Sequence, residues 1–309
     1  MSGHIVVVGI LNMDLVVRSP RHPKPGETII GGEFRTIPGG KGANQAVAAA
    51  RLGARVEMIG RVGADGFGND LLANLRGVGV STTHVKQDSA ASSGVALIVV
   101  DARGQNTIVV ASGANMSLSE EDVEAAALVF EGAAAVLLQL ESPLPVVARA
   151  AGLARKYGVR VILNPAPARP LDADLLALVD YLVPNESEAA LLTSIEVRDL
   201  RSCKRAAVRL LKQGVGGVIL TLGARGALLV NRDGATRVPA FRVKAVDTTA
   251  AGDAFVGAFG VALAASQSPA DAMRFASAAA AISVTRVGAQ PSMPTRAAVE
   301  AFLVEQGGA

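Results

Sequence analysis

In one segment of the 309-residue chain, residue types and spacing suggest group transfer: Asp247-Thr248-Thr249-Ala250-Ala251-Gly252-Asp253, running into Ala254-Phe255-Val256-Gly257-Ala258-Phe259. Small residues ahead of a long helical run place a helix N-terminus near Ala250–Asp253. Backbone N–H groups are unpaired at such an end and the helix dipole is positive, so an anion is favoured. Gly252 lets a ligand approach the backbone closely. A carboxylate at Asp253 would accept a proton from a hydroxyl while the anion hole holds the charge of a transferring phosphoryl group. The plainer alternative is that Asp247 or Asp253 caps the helix in the ordinary way.

A second segment, Pro38-Gly39-Gly40-Lys41-Gly42-Ala43-Asn44-Gln45-Ala46-Val47-Ala48, opens an Ala-rich helix with three glycines and a lysine. Exposed backbone donors, one cation and the amide of Asn44 suit a polyhydroxylated or anionic small molecule, although Gly-rich turns before helices are also common as structure alone. Third, Gly9-Ile10-Leu11-Asn12-Met13-Asp14 follows the first predicted strand, which puts Asn12 and Asp14 at a sheet's carboxyl edge, where ligands of open α/β sheets collect. Gln139-Leu140-Glu141, Asn164 and Asn185 follow other strands in the same way. Polar side chains that hold a sugar should converge like this from several strand ends. Met13 either touches the sugar or packs into the core.

The elements that must position these groups read as an α/β fold with a mostly parallel sheet, because short β-branched runs alternate with longer Ala/Leu-rich stretches at helical spacing. Nearly continuous apolar runs predict buried strands at 5–9, 56–60, 135–140, 159–163, 181–183 and 218–222. Helices are predicted at 42–52, 66–76, 120–130, 144–157, 186–193, 199–213, 250–265, 269–284 and 296–305, with Asp65 and Ser119 as N-caps. The segments 15–35 and 93–110 break the rhythm. They are extended, less apolar and interrupted by Gly, Pro and charge, and they read as a surface hairpin or as a small lid over the carboxyl edge. One large domain plus this insertion accounts for the chain.

Composition excludes several function classes. A single cysteine, Cys203, rules out an intramolecular disulfide and any Cys-based zinc site. Tryptophan is absent, aromatics are 3% and the formal net charge is only +3 without a basic block, so nucleic acid is not an expected partner. Apolar runs are too short and too interrupted to span a membrane, and the N-terminus passes directly into a strand, so a cytoplasmic location is expected. The basic stripe Arg201, Arg205, Arg209 and Lys212 reads as a solvated helix face. Gly40-Lys41-Gly42 lacks the glycine and hydroxyl residue of a P-loop, and no dinucleotide, serine-hydrolase or zinc-protease motif is present.

The Gly39–Ala48 and Asp247–Asp253 segments resemble the two signatures of the ribokinase family of carbohydrate kinases, in the right order and essentially across the whole chain. Asn164-Pro165-Ala166-Pro167-Ala168 and the stretch from Val284 to Ser292 are similar to the ribose-phosphorylating branch. The resemblance implies a three-layer ribokinase-like sandwich with a small β lid, formed by insertions at about 15–36 and 93–110, and a homodimer paired through such lids. It implies ATP-dependent phosphorylation of D-ribose at O5, with Mg²⁺ and an activating K⁺. Asn12, Asp14, Gly40, Lys41, Asn44 and Glu141 would hold the sugar. Asp253 would be the base, and the N–H groups of Ala250, Ala251 and Gly252 the anion hole. Asn185, Thr221, Gly223, Ala224, Arg225, Gly226, Gly252 and Ser277 would line the nucleotide site, with Glu188 completing an N-x-x-E element that influences Mg²⁺ and phosphate. Asp247, Thr249, Ser283, Arg286, Gly288 and Ser292 would hold K⁺, partly through carbonyls. Sister kinases acting on another sugar, a sugar acid or a nucleoside share this chemistry. A non-catalytic sugar-binding protein of the same fold would have no need of Asp253.

Overall fold

The computed structural model describes residues 3–307. The strand β1 (His4–Val8) is apolar almost throughout and wholly buried. It leads within four residues into β2 (Asn12–Arg18), which an irregular stretch connects to β3 (Phe34–Gly39). α1 (Lys41–Arg51) starts directly after Gly40, whose φ of +87° lies in the region that favours glycine. β4 (Val56–Gly63), α2 (Gly66–Gly77) and β5 (Val80–Asp88) follow, and Asp65 caps α2 by accepting from the Gly68 N–H. The chain then forms β6 (Gly94–Val100) and β7 (Asn106–Ala111) before α3 (Glu120–Ala125), where Ser119 and Asp122 make a capping box.

Alternation resumes with β8 (Ala133–Leu138), α4 (Leu144–Lys156), β9 (Arg160–Leu163), the short α5 (Ala173–Leu176) and β10 (Tyr181–Leu182). α6 (Glu186–Thr193), α7 (Leu200–Leu211) and β11 (Gly217–Thr221) come next, and then a hairpin of β12 (Ala227–Asn231) and β13 (Gly234–Val238). Three helices close the chain: α8 (Ala251–Ala264), α9 (Pro269–Ser283) and α10 (Arg296–Gly307).

Nine strands form one sheet in the order β13-β12-β11-β10-β9-β8-β1-β4-β5. Pairing is parallel from β11 through to β5 and antiparallel only in the β11-β12-β13 edge. Alternate residues serve opposite layers. Ile5 and Val7 pack with α1, α2, α8 and α9, while Val6 and Val8 pack with α3, α4 and α7. This is the three-layer α/β sandwich expected from the sequence. α8 is apolar on every side, and every residue from Asp253 to Ala264 is buried, as befits a helix enclosed by its neighbours. Burying one such Val, Leu or Phe side chain stabilises the fold by roughly 1.5–3 kcal/mol, so α8 is firmly seated and gives a rigid base to the residue at its start.

The two rhythm-breaking segments combine into a separate four-stranded sheet, β3-β2-β6-β7, in which β2 and β6 are parallel and the outer pairings antiparallel. Three expectations need correction. The second sheet begins at Asn12 and not at residue 15, so Asn12 and Asp14 belong to β2, because the chain turns into the new strand as soon as it leaves the main one. Residues 19–33 between the hairpin strands are irregular. The helix predicted over 120–130 stops at Ala125, and the tighter turn Ala127–Phe130 carries Phe130 into the core. Three strands escaped prediction: β5, β12 and β13. The basic face of α7 is solvated, Cys203 is buried and free, and Met13 is packed in the core. Among the described residues no helix is long and apolar enough to cross a membrane.

Candidate active site

α8 opens without a side-chain cap. Ala250, at the N-cap, has φ +57°, a left-handed conformation costly for a residue with a Cβ, and it aims the first turn of the helix at open space. The Ala251 N–H is taken by the Thr248 carbonyl at 3.3 Å. Among the described residues the N–H groups of Ala250, Gly252 and Asp253 meet no acceptor, so two of the expected trio of Ala250, Ala251 and Gly252 are open and Asp253 adds a third donor. Asp253 is 4% exposed yet lines the principal cavity. Its carboxylate accepts from Asn44 Nδ2 at 3.0 Å on Oδ2 and from Gln45 Nε2 at 3.0 Å on Oδ1. It caps nothing, which removes the plainer reading of this residue.

These contacts exist because α1 and α8 pack unusually close. A Cβ at Gly257 would lie 2.7 Å from Ala48 Cβ and 2.9 Å from the Gln45 carbonyl oxygen. Gly257→Ala should therefore push the helices apart, costing about 1–3 kcal/mol of stability by overpacking. Because the two amides that grip Asp253 ride on α1, turnover should fall as well. Thermal melts and steady-state assays on the same preparation check both; a variant as stable and as active as the parent would contradict the packing argument.

On the other side of Asp253, the second sheet and α1 bring Asp14, Gly40, Lys41 and Glu141 together. Asn12 pairs in register with Gly39, and Asp14 with Ile37. The Lys41 N–H donates to Glu141 Oε2 at 3.1 Å. Burial pushes Asp14 up to about 6 and Glu141 up to about 7, the latter against the opposing pull of Lys41. Lys41 is held above its ordinary value, chiefly by Asp253 and then, against its own burial, by Glu141 and Glu188. Asn12 stands at the head of β2. Its side chain is buried and its Oδ1 accepts from Asn115 Nδ2 at 2.8 Å, while Asn115 also bonds the N–H and carbonyl of Leu11. Asn12 Oδ1 thus fastens the start of β2, while its Nδ2 meets no acceptor among the described residues and can donate to a ligand. Asn115, at the exit of the second sheet, was missed because only folding brings it 103 residues back to Asn12.

The cavity has a volume of about 770 Å³ and runs from Lys41 and Asp253 outwards. Asn185, Glu188, Thr221, Gly223, Ala224, Gly226, Gly252 and Ser277 all line it, as predicted, together with apolar Val243, Ala280 and Val284, which no sequence motif marked. Asn185 and Glu188 form a capping box at the start of α6. Asn185 Oδ1 accepts from the Glu188 N–H and Glu188 Oε2 from the Asn185 N–H, each at 2.8 Å. Glu188 is raised by burial, and its Oε1 meets no donor among the described residues. Arg225 turns its guanidinium outwards onto Glu186 and the Arg198 carbonyl, so its side chain does not line the cavity.

Asp247 and the turn after α9 form a further cluster. Asp247 accepts from Thr249 N–H and Oγ1 and from the Gly288 N–H. Burial works against its charge, but these donors prevail and hold it below the usual carboxylate value. The Ser283 and Ser292 hydroxyls, both on wholly buried residues, donate to the carbonyls of Ala280 and Ala289 and keep their lone pairs for another partner. The Arg286 N–H bonds the Ser283 carbonyl, so Arg286 is placed in the same turn.

Asn164 lines the cavity, whereas Gln139 does not. Gln139 donates to Gln45, and Asn164 accepts from Gln45 and donates to the Val183 carbonyl, so both also support the amide that grips Asp253. Gln45 itself was overlooked. It is the one amide on an Ala-rich helix face, one turn after Lys41, and that contrast was the available signal.

The sequence profile described as pfkB family carbohydrate kinase matches residues 2–296. The ribokinase of Haemophilus influenzae is 46% identical over 304 residues, spanning 98% of this chain and 99% of that protein. A deoxyribokinase of Salmonella typhi is 43% identical over 292 residues, 94% of this chain and 95% of its own. Among solved structures, Arabidopsis thaliana ribokinase complexed with ribose and ATP superposes with a TM-score of 0.92 at 36% identity, covering 98% of this chain and 99% of that one.

Proposed function

Because this chain belongs to the pfkB family of carbohydrate kinases, we propose that it transfers the γ-phosphoryl group of ATP to O5 of D-ribose, giving ribose 5-phosphate and ADP. The observation that carries this reading is the carboxylate of Asp253, buried at the mouth of α8 beside unpaired backbone N–H groups and open to the cavity. Asn12, Asp14, Gly40, Lys41, Asn44 and Glu141 hold the sugar. Two carboxylates, an ammonium and side-chain amides give a fully hydroxylated pentose more partners than a deoxy sugar can use, which supports ribose over 2-deoxyribose.

The sugar's 5-hydroxyl gives its proton to Asp253 as its oxygen bonds to the γ-phosphorus and the bond to the ADP oxygen breaks. The N–H groups of Gly252 and Asp253 face the charge carried by the transferring group, which is where fixed dipoles contribute most. No nucleophilic side chain is required, because positioning and charge stabilisation supply most of the acceleration in phosphoryl transfer. The residues towards the outer end of the cavity, Asn185, Thr221, Gly223, Ala224 and Gly226, hold the nucleotide, with Ser277 towards its adenine. Glu188, with one carboxylate oxygen in the capping box and the other unpaired, fits Mg²⁺ carried on the phosphates; that ion would neutralise phosphate charge. Asp247, Thr249, Ser283, Ser292 and carbonyls of the turn through Arg286 and Gly288 offer only hard oxygen donors, which suits K⁺. The second sheet acts as a lid that excludes water. Its β7 is exposed along its whole length, with Ile108 and Val110 on one face and Val109 on the other beside Leu97 and Phe34, apolar surface suited to a second copy.

A coupled ADP-release assay over D-ribose, 2-deoxy-D-ribose, D-fructose and a ribonucleoside tests the reading, run in KCl and in NaCl and accompanied by light scattering. D-Ribose should give the highest kcat/KM, turnover should be greater in KCl, and the mass should be that of two chains. A higher kcat/KM with another acceptor would overturn ribose. Sugar binding without any ADP release would overturn catalysis and leave a sugar-binding protein.

A further inference from the structure

We propose that Gln45 is a positioning residue for the phosphoryl transfer, acting through Asp253 and itself fixed by Gln139 and Asn164. The inference rests on the reading of Asp253 as the base. Gln45 is wholly buried and touches neither the cavity nor the candidate sugar groups. An ionised carboxylate only accepts hydrogen bonds, so the nitrogen of the Gln45 amide must be the end that faces Asp253 Oδ1. That choice sets the rest. The same nitrogen has a second hydrogen, which goes to Asn164 Oδ1 at 3.3 Å. The Gln45 Oε1 accepts from Gln139 Nε2 at 2.7 Å. Asn164 is anchored in turn by donating to the Val183 carbonyl at 3.0 Å. Both hydrogens of the Gln45 amide and one lone pair of its oxygen are therefore engaged, by Asp253 near the start of α8 and by residues directly after β8 and β9.

The arrangement has a mechanical meaning. Asn44 grips the other oxygen of Asp253, but Asn44 lies at the sugar side and its own Oδ1 has no partner. It is free to reorient when a sugar hydroxyl arrives. Gln45 has no such freedom, so it alone holds the carboxylate plane at the angle needed for proton transfer when the sugar enters. A hydrogen bond to a charged group, removed from a buried site, ordinarily alters an equilibrium about 10–100-fold, and misplacing a catalytic group costs a comparable factor.

The test is a double-mutant cycle between Gln45→Met and Asp253→Asn, with sugar affinity measured separately by titration. Gln45→Met should lower kcat about 10–100-fold with the Kd for D-ribose and the KM for ATP within threefold of the parent. In the Asp253→Asn background the same substitution should have almost no further effect, because a residue that acts only through another loses its influence when the other is gone. Near-normal kcat in Gln45→Met, an equal loss in both backgrounds, or a loss expressed in Kd would each overturn the proposal. Should Gln45→Met fail to fold, Gln139→Met decides by the same criteria, since it leaves Gln45 in place and removes its anchor; a kcat loss of about threefold to tenfold, absent from the Asp253→Asn background, is then expected. Asp253→Asn alone separates the two readings. If that variant turns over normally, it is the base assignment that fails; if it is inactive while Gln45→Met is normal, only the role of Gln45 fails.

Discussion

Asp253→Asn is expected to lower kcat by about 10²–10⁴, which corresponds to roughly 2.7–5.4 kcal/mol of lost transition-state stabilisation. The substitution keeps the shape of the side chain at a site where the carboxylate touches Asn44 and Gln45 and is almost fully buried. Sugar affinity should consequently change little, since Asp14, Lys41 and Glu141 are untouched. Isothermal titration with D-ribose and steady-state rates under saturating ATP check the two halves. A variant that keeps more than a tenth of the parent's kcat would remove Asp253 from the role of base. A large loss of sugar affinity with kcat preserved would make it a binding residue instead.

Glu141→Gln should have the opposite effects on stability and on substrate affinity. Burial raises the folded-state pKa of Glu141 from 4.5 to about 7. An unfolded chain ionises this group at the lower value, so the unfolded state gains from deprotonation first. The group's unfavourable contribution accordingly grows as pH rises from about 4.5 to about 7 and is complete above that. Glutamine carries no such charge and retains an oxygen for the Lys41 N–H. At pH 8 the ligand-free variant should be more stable by roughly 2 kcal/mol, less than the full pKa difference implies because Lys41 loses a favourable neighbour. For a chain of this size the gain appears as a rise in Tm of about 3 °C, and it should vanish near pH 4.5. Affinity for the sugar should fall about 10–100-fold, the usual worth of a hydrogen bond to a charged group. Melting curves at the two pH values and a sugar titration decide it. An unchanged Tm at pH 8 would mean that Glu141 is not charged against its surroundings.

Much of the scaffold could be read before folding, for a reason visible in particular strands. β1, β8, β9 and β11 are covered on both faces and are written as unbroken apolar runs, and all were predicted within two residues of their observed ends. β5, with the sequence VSTTHVKQD, lies at the sheet's edge and is half solvated, so its composition looks like that of a loop. The β12–β13 hairpin at the other edge turns through Arg232 and Asp233 directly ahead of Gly234, and its Asp-Gly pair is a recognisable hairpin signal, but β13 is polar and exposed. Edges were lost and interiors found. The site divides in the same way. Asp253, Lys41 and Asn44 stand out because charge or amide in a Gly- or Ala-rich setting demands explanation. Gln45 and Asn115 did not, because their partners are 208 and 103 residues away, and only the close approach of α1 to α8 at Gly257, or the crossing of the two strands that enter and leave the second sheet, brings them into range.

The enclosure of α8 on all sides also bears on how such a protein changes over generations. A helix with no solvated face accepts almost no substitution without upsetting several neighbours at once, so the acid at its head is inherited together with the hydrophobic interior. The strands that carry Asp14 are half open to water and tolerate replacement far more readily. New acceptors should therefore arise by alterations at the periphery, while the proton-abstracting apparatus stays fixed, and descendants with different appetites would keep the same chemical heart.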